Sequence, residues 1–398
     1  KTAQEAIECA AKFYASQLRG PLGQEALAYL KTRGITDWTI EQYQLGFAPD
    51  DYNLLLSHLQ REGFQKEEIF VSNVLMAKEH NAPFDLFRGR VIFPIHSKSG
   101  KAIGFGGRLL PGRTYGPKYI NSPDHELFHK KEHLYGLPQA LPSVYKEKEG
   151  IICEGYMDVL SLANAGIKNA VAPLGTALNI SLITQMWRIV DEPILCFDND
   201  MAGQNASQKI AYNILPILRA GKSIRFLSIP GAKDPDEAIS KFGKEAFMQA
   251  SSQATCLADI LFAIECQKKP HDTPERFTDL QNRLKGLAQQ IKDKDLAYYY
   301  QTELLQKLRN LKFKKRARID PAGTQNYVHI SKHHSDSHLL SIMLTLLEHP
   351  SLLEQDDIIH ELVALNIQSK SIDKLRDYII SSKDGARLSA IKGDRDTL

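Results

Sequence analysis

Gly150-Ile-Ile-Cys-Glu-Gly-Tyr-Met-Asp-Val-Leu160 is the stretch on which the fold prediction rests. Its apolar residues 151–153 are typical of the end of a buried strand, and Glu154 follows at the tip. Gly155 permits a sharp turn, after which the composition predicts a helix. In an open α/β sheet, a carboxylate at the carboxyl end of a strand points into the crevice where ligands bind. Asp158 lies one helical turn later, so both carboxylates are expected to face that crevice.

Two later stretches repeat this arrangement. Pro193–Asp198 is an apolar run that ends in Asp198-Asn199-Asp200 and leads into a predicted helix. Ile224–Ile229 is a third apolar run, and the turn after it carries Gly231 and then Asp234-Pro235-Asp236. Strands that alternate with helices predict an α/β fold with an open sheet, and three strand ends would then carry acids.

Carboxylates that crowd together repel one another unless a cation neutralises them. Oxygen ligands of this kind favour Mg²⁺ or Mn²⁺, which keep coordination positions for water and phosphate. The alternative is that Asp and Gly merely end strands and cap helices at these positions. The candidate metal ligands are Glu154, Asp158, Asp198, Asp200, Asp234 and Asp236.

The overall composition is that of a globular protein with two or three domains. The chain has 398 residues, of which 43% are hydrophobic and 24% charged. Its net charge is +3, so any surface for nucleic acid has to be a local patch.

Several classes of protein are excluded by motifs that are missing. None of the 5 cysteines forms a CxxC pair, which excludes a zinc ribbon and gives no disulfide framework, as expected in a reducing cytoplasm. No apolar run is long enough to cross a membrane. The glycines of Gly104–Arg108 do not form GxGxxG between a strand and a helix, which excludes a dinucleotide fold. Because the chain starts with Lys1 rather than Met, we expect it to be a fragment.

The amino-terminal part reads as helices followed by a hairpin. Helices are predicted over 2–19, 24–32, 36–43 and 52–63. Gly46–Pro49 is predicted to be a turn. Short strands are predicted at 91–95 and 102–105, with a hairpin turn between them.

The segment Gly116–Lys130 mixes cations, an aromatic ring and an amide without apolar periodicity. Cations follow the phosphates of a single strand, and a ring can stack on a base. From composition alone, a solvated loop whose tyrosine packs on the core is the stronger alternative.

The carboxy-terminal part is predicted to be helical. Helices are predicted over 243–250, 255–267 and 273–314, where spaced leucines suggest a bundle that closes the core. The basic run Lys312–Arg318 is interpreted as a solvated helix end that enters a polar linker.

Particular residues resemble a known family. Glu154-Gly155 and Asp198-Asn199-Asp200 resemble the two signatures of the Toprim domain. The fuller run Glu154–Val159, the pair Ala202-Gly203 and Asp234-Pro-Asp-Glu237 narrow the resemblance to the bacterial DnaG-type DNA primase family. That family commonly has Gly where this chain has Asn199, and Asn tolerates unusual backbone geometry.

The resemblance extends to the basic groove of that family. It is carried by Phe87-Arg-Gly-Arg-Val-Ile-Phe-Pro-Ile95, by Pro117-Lys-Tyr-Ile-Asn-Ser-Pro123 and by Phe128-His-Lys130. The nucleic-acid or nucleotide contacts that it implies are Arg33, Arg108, Lys118, Tyr119, Asn121 and Lys130. Arg88 and Arg90 match the same motif. For Arg33, an equal alternative is that its charge satisfies the dipole of a helix end.

The resemblance implies a Toprim-type open sheet, a mixed α+β amino-terminal subdomain and a carboxy-terminal helical bundle. The expected divisions are 1–148 for the subdomain with the groove, 149–240 for the Toprim subdomain, 241–318 for the bundle, 319–337 for a linker and 338–398 for part of a helicase-interaction domain. Zinc is expected only in an amino-terminal domain that this sequence does not contain.

The expected activity is de novo synthesis of short RNA primers on single-stranded DNA by metal-assisted nucleotidyl transfer. Glu154, Asp198 and Asp200 are the expected catalytic residues, with Mg²⁺ or Mn²⁺ as cofactor. Expected partners are the DNA template, NTPs, the RNA primer and a replicative helicase, at the replication fork in the cytoplasm. Two alternatives remain open: a Toprim-type topoisomerase or nuclease, and a non-enzymatic adaptor that binds DNA or a helicase.

Overall fold

The computed structural model describes residues 1–76, 84–175 and 177–316. Its helices are α1 Ala3–Arg19, α2 Gln24–Thr32, α3 Asp37–Gln42, α4 Leu54–Arg61, α5 Lys66–Val71, α6 Leu137–Glu147, α7 Tyr156–Asn164, α8 Ile180–Met186, α9 Met201–Asn213, α10 Pro235–Ser252, α11 Leu257–Lys268, α12 Pro274–Gln289 and α13 Lys294–Arg316. Its strands are β1 Gly46–Ala48, β2 Leu75–Met76, β3 Phe84–Asp85, β4 Arg90–His96, β5 Ala102–Leu109, β6 Tyr119–Asn121, β7 Leu134–Tyr135, β8 Ile151–Ile152, β9 Ala170–Pro173, β10 Ile194–Cys196, β11 Arg225–Leu227 and β12 Thr255–Cys256.

The first sheet is antiparallel and has the order β1-β4-β5-β6. Its predicted hairpin is confirmed, with Gly100 at φ 82° in the turn between β4 and β5. The predicted turn at Gly46 is wrong, because this residue pairs with Ile92 as part of β1. A Cβ on Gly46 would lie 2.6 Å from Cβ of Tyr14 in α1, so glycine here serves close packing of the strand against a helix.

The second sheet has the order β12-β11-β10-β8-β9-β7. Its four central strands are parallel, and both edge strands are antiparallel. From β8 the chain moves to β9 on one side and then returns to β10 on the other, so β8 and β10 flank the topological switch point. The prediction that a helix begins at Thr255 is wrong, because β12 precedes α11 and pairs with β11.

Alternate residues of the central strands enter different cores. Ile151 and Cys153 pack in a core that also contains residues of the first sheet. Ile152 faces the opposite core, which α8, α9 and the carboxy-terminal helices complete. On the neighbouring strand, Ile194 faces the first of these cores and Leu195 the second. The parallel sheet is therefore buried on both faces, which fits its continuous apolar strands.

The predicted helical bundle is confirmed as the cover of the second core. Its buried residues are Leu280, Leu284, Leu287, Ile291, Leu304 and Leu308. Beside them, the buried carboxylate of Glu265 accepts hydrogen bonds from Tyr212 at 2.7 Å and Lys268 at 2.8 Å, and it pairs with Arg283. These partners tie α9, α11 and α12 together.

The predicted α/β class with a parallel open sheet and a helical bundle is confirmed. Residues Lys1–Arg309 form one compact unit, and the subdomain boundaries inside it stay predictions. The predicted linker (319–337) and helicase-interaction segment (338–398) lie outside the described residues. In the part of the chain that the structure describes, every helix is too short or too polar to span a lipid bilayer.

Candidate active site

The acidic residues lie at the carboxyl ends of three neighbouring parallel strands. Glu154 follows β8, Asp198 follows β10, and Asp234 follows β11 at the start of α10. Because β10 pairs with both other strands, these carboxyl ends lie side by side. We call this end of the parallel strands, which carries Glu154, Asp198 and Asp234, the acidic edge. The sequence predicted this meeting point.

Glu154 is joined directly to the second acidic segment. Its Oε1 accepts a hydrogen bond from the backbone amide of Asp198 at 3.0 Å. A Cβ on Gly203 would lie 2.7 Å from that oxygen and 2.0 Å from the carbonyl oxygen of Asp198. Glycine at 203 therefore lets the first turn of α9 approach the two carboxylates closely.

Three of the acids also cap helices. The alternative given from the sequence, that these residues end strands and cap helices, is therefore correct for them as well. Asp200 accepts from the amide of Gly203 at 2.9 Å, and Asp234 accepts from the amide of Glu237 at 2.7 Å. Asp158 accepts from the amide of Gly155 at 3.0 Å. Each cap occupies one carboxylate oxygen and fixes the rotamer. The second oxygen of Asp234 lies 3.9 Å from the ammonium of Lys233.

Burial and mutual repulsion make these carboxylates hard to ionise together. Burial, followed by repulsion from Glu154, raises the pKa of Asp198 to about 6. Burial, followed by repulsion from Asp198 and Asp234, raises the pKa of Asp158 to about 8. The pKa of Glu154 is also raised, by burial and by Asp200. Oδ1 of Asp198 is buried without a hydrogen-bond partner. A cation at this edge would relieve all these effects.

The donor set fits a hard divalent cation that is shared with substrate. Among the described residues, no group of three or more His, Cys, Asp or Glu side chains is arranged to hold a metal ion by itself. Mg²⁺ is usually bound through one or two carboxylates and completes its shell with water and phosphate oxygens. Glu154, Asp158, Asp198 and Asp200 each have a carboxylate oxygen for which no hydrogen bond is described.

Asp236 is engaged differently, because its carboxylate forms an ion pair with Arg33 at 2.5 Å. Arg33 comes from the end of α2, and Asn164 of α7 holds the following turn by donating to the carbonyl of Gly34 at 2.9 Å. Both members of the pair line a cleft of about 650 Å³, together with Asp234. Two residues that were predicted for separate roles, a nucleic-acid contact and a metal ligand, therefore meet.

Tyr119 lies between the cations of the predicted groove, Arg108 and Lys118, and the acidic edge. The guanidinium of Arg108 lies 5.6 Å from its ring centroid, and the ammonium of Lys118 lies 5.8 Å away. Tyr119 is close enough to Asp158 and Arg33 for electrostatic interaction. Its side chain is 37% exposed, so one part of the ring is free to contact a ligand.

Arg108 and Arg90 are buried residues that pack against or bond to the segment around Tyr119. Arg108 is buried, with its guanidinium 4.7 Å from the ring of Tyr29. Arg90 is buried as well and donates to the carbonyl oxygens of Pro117 at 2.9 Å and Lys118 at 3.4 Å. Arg90 therefore holds the backbone of the loop that presents Lys118. Arg88 lies elsewhere, stacked 3.5 Å from the centroid of the Tyr52 ring.

The remaining two predicted contacts differ in accessibility. The amide of Asn121 donates to the carbonyl of Leu174 at 3.3 Å and accepts from the hydroxyl of Tyr156, so both of its ends are used within the protein. Lys130 begins a short 3₁₀ turn, and its backbone amide donates to Asp124 at 3.0 Å. Its ammonium forms no ion pair among the described residues. No described contact joins Lys130 to the acidic edge.

The sequence prediction missed two residues of this site. Tyr156 is buried in α7, stacks on Phe93 at 5.1 Å and bonds to Asn121, so it joins this helix to the first sheet. For Asn199 the sequence suggested only that its backbone could adopt a positive φ angle, and in the structure its φ angle is not positive. Outside glycine, the positive φ angles of the described residues occur at Gln44, Asn73 and Lys148. No local signal marks either role, because both depend on residues that are distant in sequence.

Comparison with known proteins agrees with this geometry. Residues 13–141 match the family described as the DNA primase catalytic core, N-terminal domain, and residues 151–239 match a Toprim-like family. The second match covers the segment that carries all six acids and the start of α10. Divalent metal chemistry at these carboxylates is in keeping with a Toprim assignment.

Curated relatives and solved structures point to the same family. The chain is 32% identical over 378 residues to a DNA primase of Rickettsia felis, which covers 94% of this chain and 62% of that protein. It is 34% identical over 316 residues to the DNA primase of Escherichia coli K12, which covers 79% and 54% respectively. The chain thus spans only part of the length of these relatives.

Among solved structures, the Escherichia coli primase catalytic core is similar with a TM-score of 0.70 at 35% identity, which covers 77% of this chain and 97% of that one. A primase domain from Pseudomonas aeruginosa gives 0.71 at 36% identity, with 76% and 94% covered. A DnaG primase catalytic domain bound to single-stranded DNA gives 0.69 at 34% identity, with 76% and 97% covered. The acidic strand ends, the two larger sheets and these relatives show that the chain belongs to the DnaG-type bacterial DNA primase family.

Proposed function

We propose that this chain carries the RNA polymerase activity of a primase and synthesises short RNA primers de novo on single-stranded DNA. The observation that carries the proposal is the meeting of Glu154, Asp198 and Asp234 at adjacent strand ends, beside a tyrosine flanked by cations. The similarity to primase cores, one of them bound to single-stranded DNA, supports it.

In this reaction, the 3′-oxygen of one nucleotide forms a bond to the α-phosphorus of an incoming NTP. The bond from that phosphorus to the bridging oxygen breaks, pyrophosphate leaves, and the hydroxyl proton is released. Such chemistry depends on in-line positioning and on charge neutralisation rather than on a covalent nucleophile.

Glu154, Asp198 and Asp200 are the residues that would hold Mg²⁺ or Mn²⁺. A bound ion of this kind lowers the pKa of the attacking hydroxyl and stabilises charge on the phosphoryl oxygens. Asp158 and Asp234 extend the negative field at the same edge, each with one oxygen fixed by a helix cap. Asp236 could join them only after its ion pair with Arg33 opens.

The groove residues would hold the strand next to the acids. Lys118 is exposed and suited to a phosphate, and the partly exposed ring of Tyr119 offers a stacking surface. Arg33 and Lys130 remain predicted contacts with nucleic acid or nucleotide. Arg108 and Asn121 would act from within the protein, through their contacts with Tyr29, Leu174 and Tyr156. The predicted contact with a helicase would involve residues 338–398, which lie outside the described residues. Primer synthesis of this kind would take place at the replication fork, in the cytoplasm.

The proposal is tested with single-stranded template and labelled NTPs, with and without Mg²⁺ or Mn²⁺. We expect metal-dependent dinucleotides and short RNA products from the wild type and none from Asp198→Ala. A matched control is Asp191→Ala, since Asp191 is an exposed acid that pairs with Lys222 away from the strand tips. Near-wild-type synthesis by Asp198→Ala would refute the proposal. Cleavage of DNA in place of synthesis would favour a Toprim-type nuclease or topoisomerase.

A further inference from the structure

Asn199 lies between two of the proposed metal ligands, and its side chain reaches the neighbouring loop. Its Nδ2 donates to the carbonyl oxygens of Ile229 at 3.0 Å and Ala232 at 2.6 Å. Its Oδ1 accepts a hydrogen bond from Ser228 at 2.8 Å. Its backbone amide donates to the carbonyl of Lys233 at 2.7 Å. One residue therefore makes four hydrogen bonds that span the whole loop.

That loop, 228–233, runs from the end of β11 to Asp234, the capping residue of α10. Its other hydrogen bonds stay within the loop or go to α10. Examples are the amide of Lys233 to Glu237 at 2.6 Å, and Lys241 to the carbonyl of Gly231 at 3.1 Å. Among the described residues, every hydrogen bond between this loop and the Asp198–Asp200 turn involves Asn199.

The two segments that Asn199 joins carry like charges. Asp198 and Asp234 are close enough to repel each other, while Lys233 of the loop attracts Asp198. The four hydrogen bonds of Asn199 act against that repulsion and fix the distance between the turn and the loop. We propose that Asn199 is a positioning residue that fixes the spacing between the Asp198–Asp200 turn and Asp234, so that Asp198 and Asp200 can bind a divalent cation beside Asp234. This inference rests on the proposed function for its biological meaning, but metal binding tests it separately.

The chemistry of the contact is specific to an amide. Two of the three side-chain bonds require an N–H donor that faces carbonyl oxygens, and the third requires an acceptor. Aspartate has the same shape but no donor, so Asn199→Asp would direct an oxygen at two carbonyls. It would therefore not restore the contact, even though it adds a potential metal ligand.

The experiment titrates Mn²⁺ into the whole chain by calorimetry and records thermal unfolding of each variant. For Asn199→Ala we expect the dissociation constant of Mn²⁺ to rise about 10-fold, as is typical for residues that orient metal ligands. Asn199→Asp should show a similar rise. The control is Asn169→Ala. The amide of Asn169 also donates to a loop carbonyl, that of Glu149 at 3.2 Å. Both residues lie at the amino ends of the parallel strands, away from the acids. Asn169→Ala should leave Mn²⁺ binding unchanged.

Primer synthesis by the wild type is measured in parallel. If the wild type makes no primers while Asn199→Ala still weakens Mn²⁺ binding, the positioning role stands and the proposed function fails. If the wild type makes primers and Asn199→Ala binds Mn²⁺ as tightly as the wild type, the positioning role is overturned and the function stands. Equal weakening by Asn169→Ala would also overturn it, because the effect would then be one of general stability.

Discussion

The carboxylate of Glu154 accepts a hydrogen bond from the backbone amide of Asp198 at 3.0 Å, across the switch point of the parallel sheet. One oxygen thus holds the neighbouring acidic segment in place, and the negative charge remains at the edge where a cation would bind. The structural and the electrostatic contributions of this side chain can be separated by mutation.

Glu154→Gln keeps an oxygen that can accept from the Asp198 amide but removes the charge. We expect the melting temperature to stay the same or rise, because repulsion within the acidic cluster falls. Primer synthesis should drop at least about 100-fold, as expected when a group that stabilises transition-state charge is lost.

Glu154→Ala is the matched variant, since it removes both the charge and the acceptor. It should lose the same activity and, in addition, about 1 kcal/mol of stability. If Glu154→Gln retained most of its activity, the role of this residue would be structural only.

Lys118→Ala should weaken binding of single-stranded DNA and reduce its dependence on salt. One phosphate contact fewer changes the slope of log K against log salt by about 0.7 for a single strand. Fluorescence anisotropy across a salt titration measures both quantities. Lys222→Ala is the control, because Lys222 pairs with Asp191 and bonds to the carbonyl of Trp187. An unchanged slope for Lys118→Ala would argue against the groove.

Gly106→Ala should destabilise the protein, because the added Cβ would lie 2.7 Å from the ring of Tyr156. That ring is buried and bonded to Asn121, so it has little room to move. The expected loss is about 1–3 kcal/mol, as for other overpacked cores.

The matched control is Gly286→Ala, since nothing lies within 4 Å of a Cβ at that position in α12. It should stabilise the protein by about 0.5–1 kcal/mol through helix propensity. Chemical denaturation of both variants measures the difference. A neutral Gly106→Ala would show that the sheet and Tyr156 can separate at little cost.

The stability of the metal-free protein should fall as the pH rises from about 4 to about 8. Burial, together with neighbouring acids, raises the pKa of Asp158 from an ordinary 3.8 to about 8 and that of Asp198 to about 6. Both groups bind protons more tightly in the folded than in the unfolded chain. The stability they contribute is therefore present at low pH and is lost as the pH rises through these values.

Mg²⁺ should reverse this loss, because it binds the ionised carboxylates. Thermal melts at pH 6 and pH 8 should show a larger stabilisation by Mg²⁺ at pH 8. Asp158→Asn removes one titrating group, so its stability relative to wild type should increase between these two pH values. A constant difference would contradict the assignment of the raised pKa to Asp158.

The sequence predicted the long-range meeting of the acids because parallel strands share the edge at which they end. It failed where pairing alone defines a strand. Gly46–Ala48 has the composition of a turn, and Thr255 that of a helix start, yet each pairs with a strand far along the chain. Strands of two or three residues carry too short a pattern to be recognised locally.

Within the site, residue types were easier to predict than their partners. The motif indicated Asn121 as a possible contact, but its hydrogen bonds to Leu174 and Tyr156 come from other segments. Asn199 drew attention as a departure from the usual glycine, and only the fold shows that its amide spans the neighbouring loop. Neither set of hydrogen-bond partners can be predicted from a periodic pattern in the sequence.

The buried carboxylate of Glu265 has a consequence for how the chain can be shortened. Its partner Arg283 belongs to α12, which also contributes Leu280 and Leu284 to the core beneath the acidic edge. A truncation before Pro274 would remove Arg283 from this carboxylate, leaving it only Tyr212 and Lys268, and would uncover the apolar core beside the sheet. A minimal fragment for biochemical work therefore has to retain α12 and the packed turns of α13, although neither helix carries any of the proposed site residues.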